Sequence, residues 1–63
     1  MSPAAADRVI IWLRRYVAEM IALDRARDDP ARSGAERQEA ADAACTAENR
    51  LREVLIQTTA QPR

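Results

Sequence analysis

Between Val9 and Leu23 the chain carries Val9, Ile10, Ile11, Trp12, Leu13, Tyr16, Val17, Met20, Ile21 and Leu23, broken only by Arg14, Arg15, Ala18, Glu19 and Ala22. At about 100° per residue, all of these apolar positions except Ile11 fall within an arc of about 180°. The spacing predicts an amphipathic α-helix. Its apolar arc is wider than the seam one neighbour covers, so the helix is expected to touch at least two neighbours. Ser2-Pro3 supplies the start: a hydroxyl that can cap free amides, then the residue best tolerated in the first turn. No breaker follows until Asp28, which gives a first helix over about 3–28.

The run Asp28-Asp29-Pro30-Ala31-Arg32-Ser33-Gly34 stops that helix, because Pro30 disfavours α conformation at Asp29 and removes a backbone donor. A turn is expected over 29–33. Ser33 and Glu36 fit the capping box, in which hydroxyl and carboxylate each accept from an unpaired amide, so a second helix is expected over about 34–58. The tail 59–63 is expected to fray. In the second helix Ala40, Ala44, Ala47, Leu51, Val54 and Thr58 recur at alternating spacings of four and three, with Leu55 beside them.

An antiparallel hairpin would set the alanine half of that seam against Tyr16, Met20 and Leu23, large against small. Leu51, Val54 and Leu55 would meet Val9 and Leu13. Ile10, Val17 and Ile21, with Trp12 in part, stay only partly covered. Four such side chains left exposed forgo on the order of 6–12 kcal/mol, comparable to the whole stability of a small domain. The expected fold is therefore all-α: an antiparallel two-helix hairpin, a single domain over 1–63, that dimerises into a four-helix bundle.

Composition agrees with helix. The 63 residues include one Gly and no Phe, and β-branched residues are few outside two short clusters. Ten basic residues, all Arg, balance ten acidic ones, so no net field steers the chain onto nucleic acid or an anionic membrane. The lack of Lys beside many Ala and Arg points to GC-rich codon usage and says nothing of chemistry. The apolar segment is shorter than a membrane span, about 20 residues, and is interrupted by charges, so no membrane span is expected. The N-terminus lacks the order of a signal peptide, and the expected location is the cytoplasm.

Candidate chemistry is sparse. Without His there is no imidazole catalysis and no His-based metal site. One Gly cannot build a phosphate loop, and a lone Cys45 can form neither an intramolecular disulfide nor a multi-Cys metal site. Cys45 is expected to be a small buried apolar residue, since no basic neighbour activates it. Arg15 with Glu19, Arg32 with Glu36, and Glu48 with Arg52 have helical pair spacing and are expected as solvated surface pairs. A helical enzyme of the chorismate mutase type would need spaced cationic and amide residues that this chain does not show. No enzyme, no cofactor and no metal are expected.

Arg14 and Arg15, set between Leu13 and Tyr16, are possible polar contacts and the elements of a nucleic-acid contact. In size and expected architecture the chain resembles the small four-helix-bundle regulators of RNA pairing, which makes a nucleic-acid-binding regulator the alternative assignment. No sequence motif is shared with them. Attachment to a membrane surface through the polar side of helix one is disfavoured, because helix two needs the apolar side as its partner.

The run Arg8-Val9-Ile10-Ile11-Trp12-Leu13-Arg14-Arg15-Tyr16-Val17-Ala18-Glu19-Met20 resembles the opening helix of the N-terminal docking domains of modular polyketide synthases, in which an aromatic-Leu-Arg-Arg core precedes a coiled-coil dimer. That likeness covers about a fifth of the chain and implies a docking role; the break at Pro30 departs from the family's single long helix. Trp12 to Pro30 also resembles the first helix and loop of acyl carrier proteins. The Asp-Ser-Leu motif that carries their phosphopantetheine arm is missing, which excludes carrier function.

Taken together, these features predict a non-enzymatic interaction module that binds itself, as a homodimer, and a larger protein partner through an apolar helix face. Two roles fit: a docking or assembly element of a larger machine, or a phage- or plasmid-type inhibitor of a host complex. The expected interface residues are Val9, Ile10, Trp12, Leu13, Tyr16, Val17, Met20, Ile21, Leu51, Val54 and Leu55. Trp12 and Tyr16 are the expected anchors, because aromatic side chains dominate interface energetics.

Overall fold

A computed structural model describes residues 2–59. Two helices, α1 (Pro3–Asp28) and α2 (Gly34–Thr59), pack against each other as a hairpin. There is no strand among the described residues. Of the tail expected to fray, Thr59 is the last residue of α2, and 60–63 lie outside the described residues.

Each helix end is closed locally. Ser2 is extended, and its hydroxyl accepts from the Ala5 amide at 3.2 Å, while its carbonyl accepts from the Ala6 amide at 2.9 Å. These contacts satisfy donors that have no partner within the helix. At the far end of α2 the hydroxyls of Thr58 and Thr59 donate back to the Leu55 carbonyl at 2.9 and 2.8 Å.

Asp29 organises the turn. Its backbone is extended, as a residue before proline prefers, and its carboxylate accepts from the Ala31 amide at 2.9 Å. Its carbonyl accepts from the Arg32 amide at 3.2 Å, closing a turn with Pro30 at the second position, where a fixed φ is favourable. The Ser33 hydroxyl caps α2 by accepting from the Glu36 amide at 3.1 Å. The second half of the expected box differs: the Glu36 carboxylate accepts from the Ser33 hydroxyl, and its other oxygen sits 3.3 Å from Arg32. The nearby guanidinium gives that carboxylate a stronger partner than a backbone amide would.

The core is thin. Its buried members are Ala5, Leu23, Ala26, Ala44, Ala47 and Val54. Four of these six are alanine, and no large side chain among the described residues is fully enclosed. Val9, Trp12, Tyr16 and Met20 of α1 and Ala40, Leu51 and Thr58 of α2 are half-buried along the same seam. Large side chains of α1 thus lie against small ones of α2, which lets two helices approach closely without voids.

Arg37, on the first turns of α2, ties the hairpin shut. Its guanidinium donates to the Ala26 carbonyl at 3.2 Å and to the Asp29 carbonyl at 3.0 Å, two acceptors at the open end of α1. A cation there also opposes the negative end of the α1 dipole. Replacing it by methionine keeps much of the side-chain length and removes both bonds. Arg37→Met is expected to cost about 1–3 kcal/mol, the range for hydrogen bonds to a charged group. Urea midpoints compared with Arg52→Met, an exposed position, check this; equal midpoints would show that the clasp contributes nothing.

Candidate interaction surface

The wide apolar arc of α1 divides into two lines. Val9, Trp12, Tyr16, Met20 and Leu23 turn toward α2. Ile10, Leu13, Val17 and Ile21 turn away from it, and between 45% and 48% of each remains exposed. On a helical wheel the two lines are centred about 105° apart, so one neighbouring helix does not cover both. Of the eleven positions expected at the interface, the structure therefore brings Val9, Trp12, Tyr16, Met20, Leu51 and Val54 into the hairpin seam. Ile10, Leu13, Val17, Ile21 and Leu55 it leaves toward solvent.

Leu13 and Leu55 differ from expectation. Both were assigned to the contact between the helices, yet they are 46% and 39% exposed. Each lies about 60° around its helix from the seam line, at the rim of the contact rather than inside it. Leu55 falls on the same flank of the hairpin as Ile10 and Leu13, so the apolar patch extends across both helices.

Cys45 is a correction. It was expected to be buried, but the thiol is exposed, with the Asn49 amide 3.8 Å from Sγ. The seam runs through Ala44 and Ala47, and one step of about 100° from Ala44 carries Cys45 out of it. Ile56, on the same outer line as Cys45, is 63% exposed; Ile11, on the back of α1, is 62% exposed.

On the opposite flank from Ile10 and Val17, a surface groove of about 340 Å3 is lined by Trp12, Arg15, Glu19, Ala43, Thr46 and Ala47. Alanine and threonine on α2 form its floor, because they are too small to fill the space beside the indole. Arg15 is paired with Glu19 at 3.1 Å along its rim. Arg14 points about 100° away from Arg15 around the helix, so the two do not form one basic patch.

The helical pairs expected from spacing are present: Arg15–Glu19, Arg32–Glu36 at 3.3 Å, and Glu48–Arg52 at 3.0 Å. Their arginines are more than half exposed, so each pair contributes only a few tenths of a kcal/mol. The described residues contain no grouping of three or more His, Cys, Asp or Glu that could hold a metal ion. No described helix is long and apolar enough to cross a membrane.

Arg37 is a structurally important polar residue that periodicity does not reveal. Its position four residues after the Ser33 cap marks it only as a residue of the helix start. The carbonyls it binds come from the preceding helix.

No protein-family model, curated protein or solved structure matches this chain.

Proposed function

We propose that this chain is a non-enzymatic protein–protein interaction module that self-associates through the outward apolar face of α1, forming a homodimeric four-helix bundle, and works by presenting helix faces to a larger protein. The observation that carries this is the hairpin's core, in which no large side chain among the described residues is fully enclosed while four large apolar ones lie half-exposed in a line.

Surface area supports the same conclusion. A compact monomer of 7.0 kDa exposes roughly 4,000 Å2 by the usual scaling of surface with mass. This chain exposes 4938 Å2.

The energetic incentive is smaller than full exposure would give. Ile10, Leu13, Val17 and Ile21 are already about half covered by their own helix, so completing their burial yields roughly 3–6 kcal/mol per chain. Two chains together gain about twice that, of the same order as the cost of association. The dimer is thus expected to be reversible, with stability that depends on concentration.

Within this class, the chain serves either as a docking or assembly element of a larger machine or as an inhibitor that occupies a surface of a host complex. Genes beside its own distinguish the two: synthase genes support the first, phage or mobile-element genes the second. The alternative, a nucleic-acid-binding regulator, would show affinity for RNA or DNA that falls as salt rises. The pairing of Arg15 with Glu19 and the divergence of Arg14 from it favour the protein partner.

Sedimentation over a hundredfold range of concentration tests self-association. The expected mass is that of two chains at high concentration, falling toward one on dilution, with the melting temperature falling in parallel. A single-chain mass throughout, with an unchanged melting temperature, would overturn the proposal.

A further inference from the structure

We infer that the second copy packs α1 against α1 in antiparallel orientation, with Ile10 of one chain near Ile21 of the other, Leu13 near Val17, and Asp7 beside Arg25. This rests on the self-association proposed above and deepens it by fixing which helix meets which, and in which direction.

The choice of α1 follows from where the apolar surface lies. Four of the five large side chains on the exposed flank belong to α1; the corresponding flank of α2 offers Leu55 but also the Glu48–Arg52 ion pair. Burying that pair against apolar side chains would strip its water without replacing it.

Direction follows from charge. Asp7 and Arg25 are about five turns apart, which puts them on one line along α1, just outside the apolar stripe. Both are exposed, and neither has an ion-pair partner within the hairpin among the described residues. Pairing the stripe with its own reverse about its midpoint, between Leu13 and Val17, brings Asp7 of each chain alongside Arg25 of the other. Two further charges belong to this flank: Arg14 is then displaced from its own copy by about three residues, roughly 4.5 Å along the axis, and Asp24, exposed within the stripe, by about 25 Å.

Parallel pairing does the opposite. It carries the edge with Asp7 and Arg25 to opposite sides of the contact, so the two lose each other as partners, and it sets Asp24, which lies exposed within the stripe, beside its own copy; like charges placed opposite each other disfavour that arrangement. Antiparallel helix dipoles add in the same direction. The antiparallel arrangement also leaves the Trp12 groove of each chain on the flank away from the contact.

Two measurements test this. Asp7→Arg and Arg25→Asp are each expected to weaken dimerisation about two- to thirtyfold at low salt, since each disturbs two exposed pairs, and the double exchange is expected to recover most of the loss. Single variants that dimerise normally, or a double variant as weak as the singles, would overturn the pairing.

The second uses Cys45→Ser chains carrying Ile10→Cys or Ile21→Cys under mild oxidation. A mixture of the two is expected to give the mixed disulfide, and Ile10→Cys alone very little, because its copies stand roughly 16 Å apart along the axis. Efficient self-linking of Ile10→Cys would show parallel packing and refute the inference while leaving self-association intact. A wild-type chain that sediments as a monomer would remove both.

Discussion

Val17→Asp is expected to convert the proposed dimer to a monomer, weakening association at least about a hundredfold, the equivalent of roughly 2.7 kcal/mol. Val17 is 48% exposed in the isolated hairpin, so its carboxylate replacement would stay hydrated there and disturb the seam with α2 little. In the dimer the same position lies close to the two-fold axis, where two carboxylates would be desolvated near one another. An unpaired ion in that setting costs more than the valine contributes. Ile10→Asp is expected to act in the same direction. Ile11→Asp is the matched control: Ile11 is 62% exposed and lies on the back of α1, so its replacement is expected to leave the mass unchanged. Helicity is expected to fall partly in the Val17 variant, because the hairpin loses the neighbour that completes its core. A Val17→Asp protein that remains a fully helical dimer at low micromolar concentration would place the contact elsewhere.

Much of the hairpin was legible because helical periodicity and end signals act over a few residues. Ser2-Pro3, the Pro30 break and the Ser33 cap require only local geometry, and the structure shows each forming with its near neighbours. The α2 seam was legible for a related reason: Ala40, Ala44, Ala47, Leu51, Val54 and Thr58 share one wheel direction, and all are buried or half-buried. Positions at the rim were not. Whether Leu13 or Leu55 lies inside or outside a contact depends on how the two helices roll against each other, and a rotation of about 20° is enough to decide it. Cys45 is a different case: about 140° around α2 from the seam line, it faces outward at any such roll, although its sequence neighbour Ala44 is buried. Arg37 failed for another reason: its acceptors, the Ala26 and Asp29 carbonyls, become available only when the chain has turned back on itself.

The width of the α1 arc carried the information about the outward face. A two-helix unit can enclose one line of large side chains, and α1 has two. The structure sorts them into Trp12, Tyr16, Met20 and Leu23 on one side and Ile10, Leu13, Val17 and Ile21 on the other. Which molecule covers the second line is a matter of complementarity, and in the proposed dimer the charges of Asp7 and Arg25 supply it between copies of the same chain.

Ala47→Leu is expected to open the hairpin, in contrast to the Val17 variant, which separates intact hairpins. Ala47 is 3% exposed and Ala44 and Val54 4%, the tightest of the described positions. Ala47 lies in the seam where α2 approaches α1, so methylenes added at its Cβ push α2 away from α1 unless they turn aside into the groove beside Trp12. Overpacking of this kind costs about 1–3 kcal/mol, occasionally more, and a domain of this size has only about 5 kcal/mol to lose at the lower end of the usual range. The melting transition is therefore expected to move down by roughly 5–20 °C, taking dimerisation with it, since the outward face of α1 depends on α2 holding the helix in place. Ala18→Leu, at an exposed position of α1, adds the same atoms and is expected to change the melting temperature little. Unchanged melting in Ala47→Leu would mean that α2 does not pack through its alanines. In that case the division of the α1 surface into a covered line and a free one would have to be drawn again.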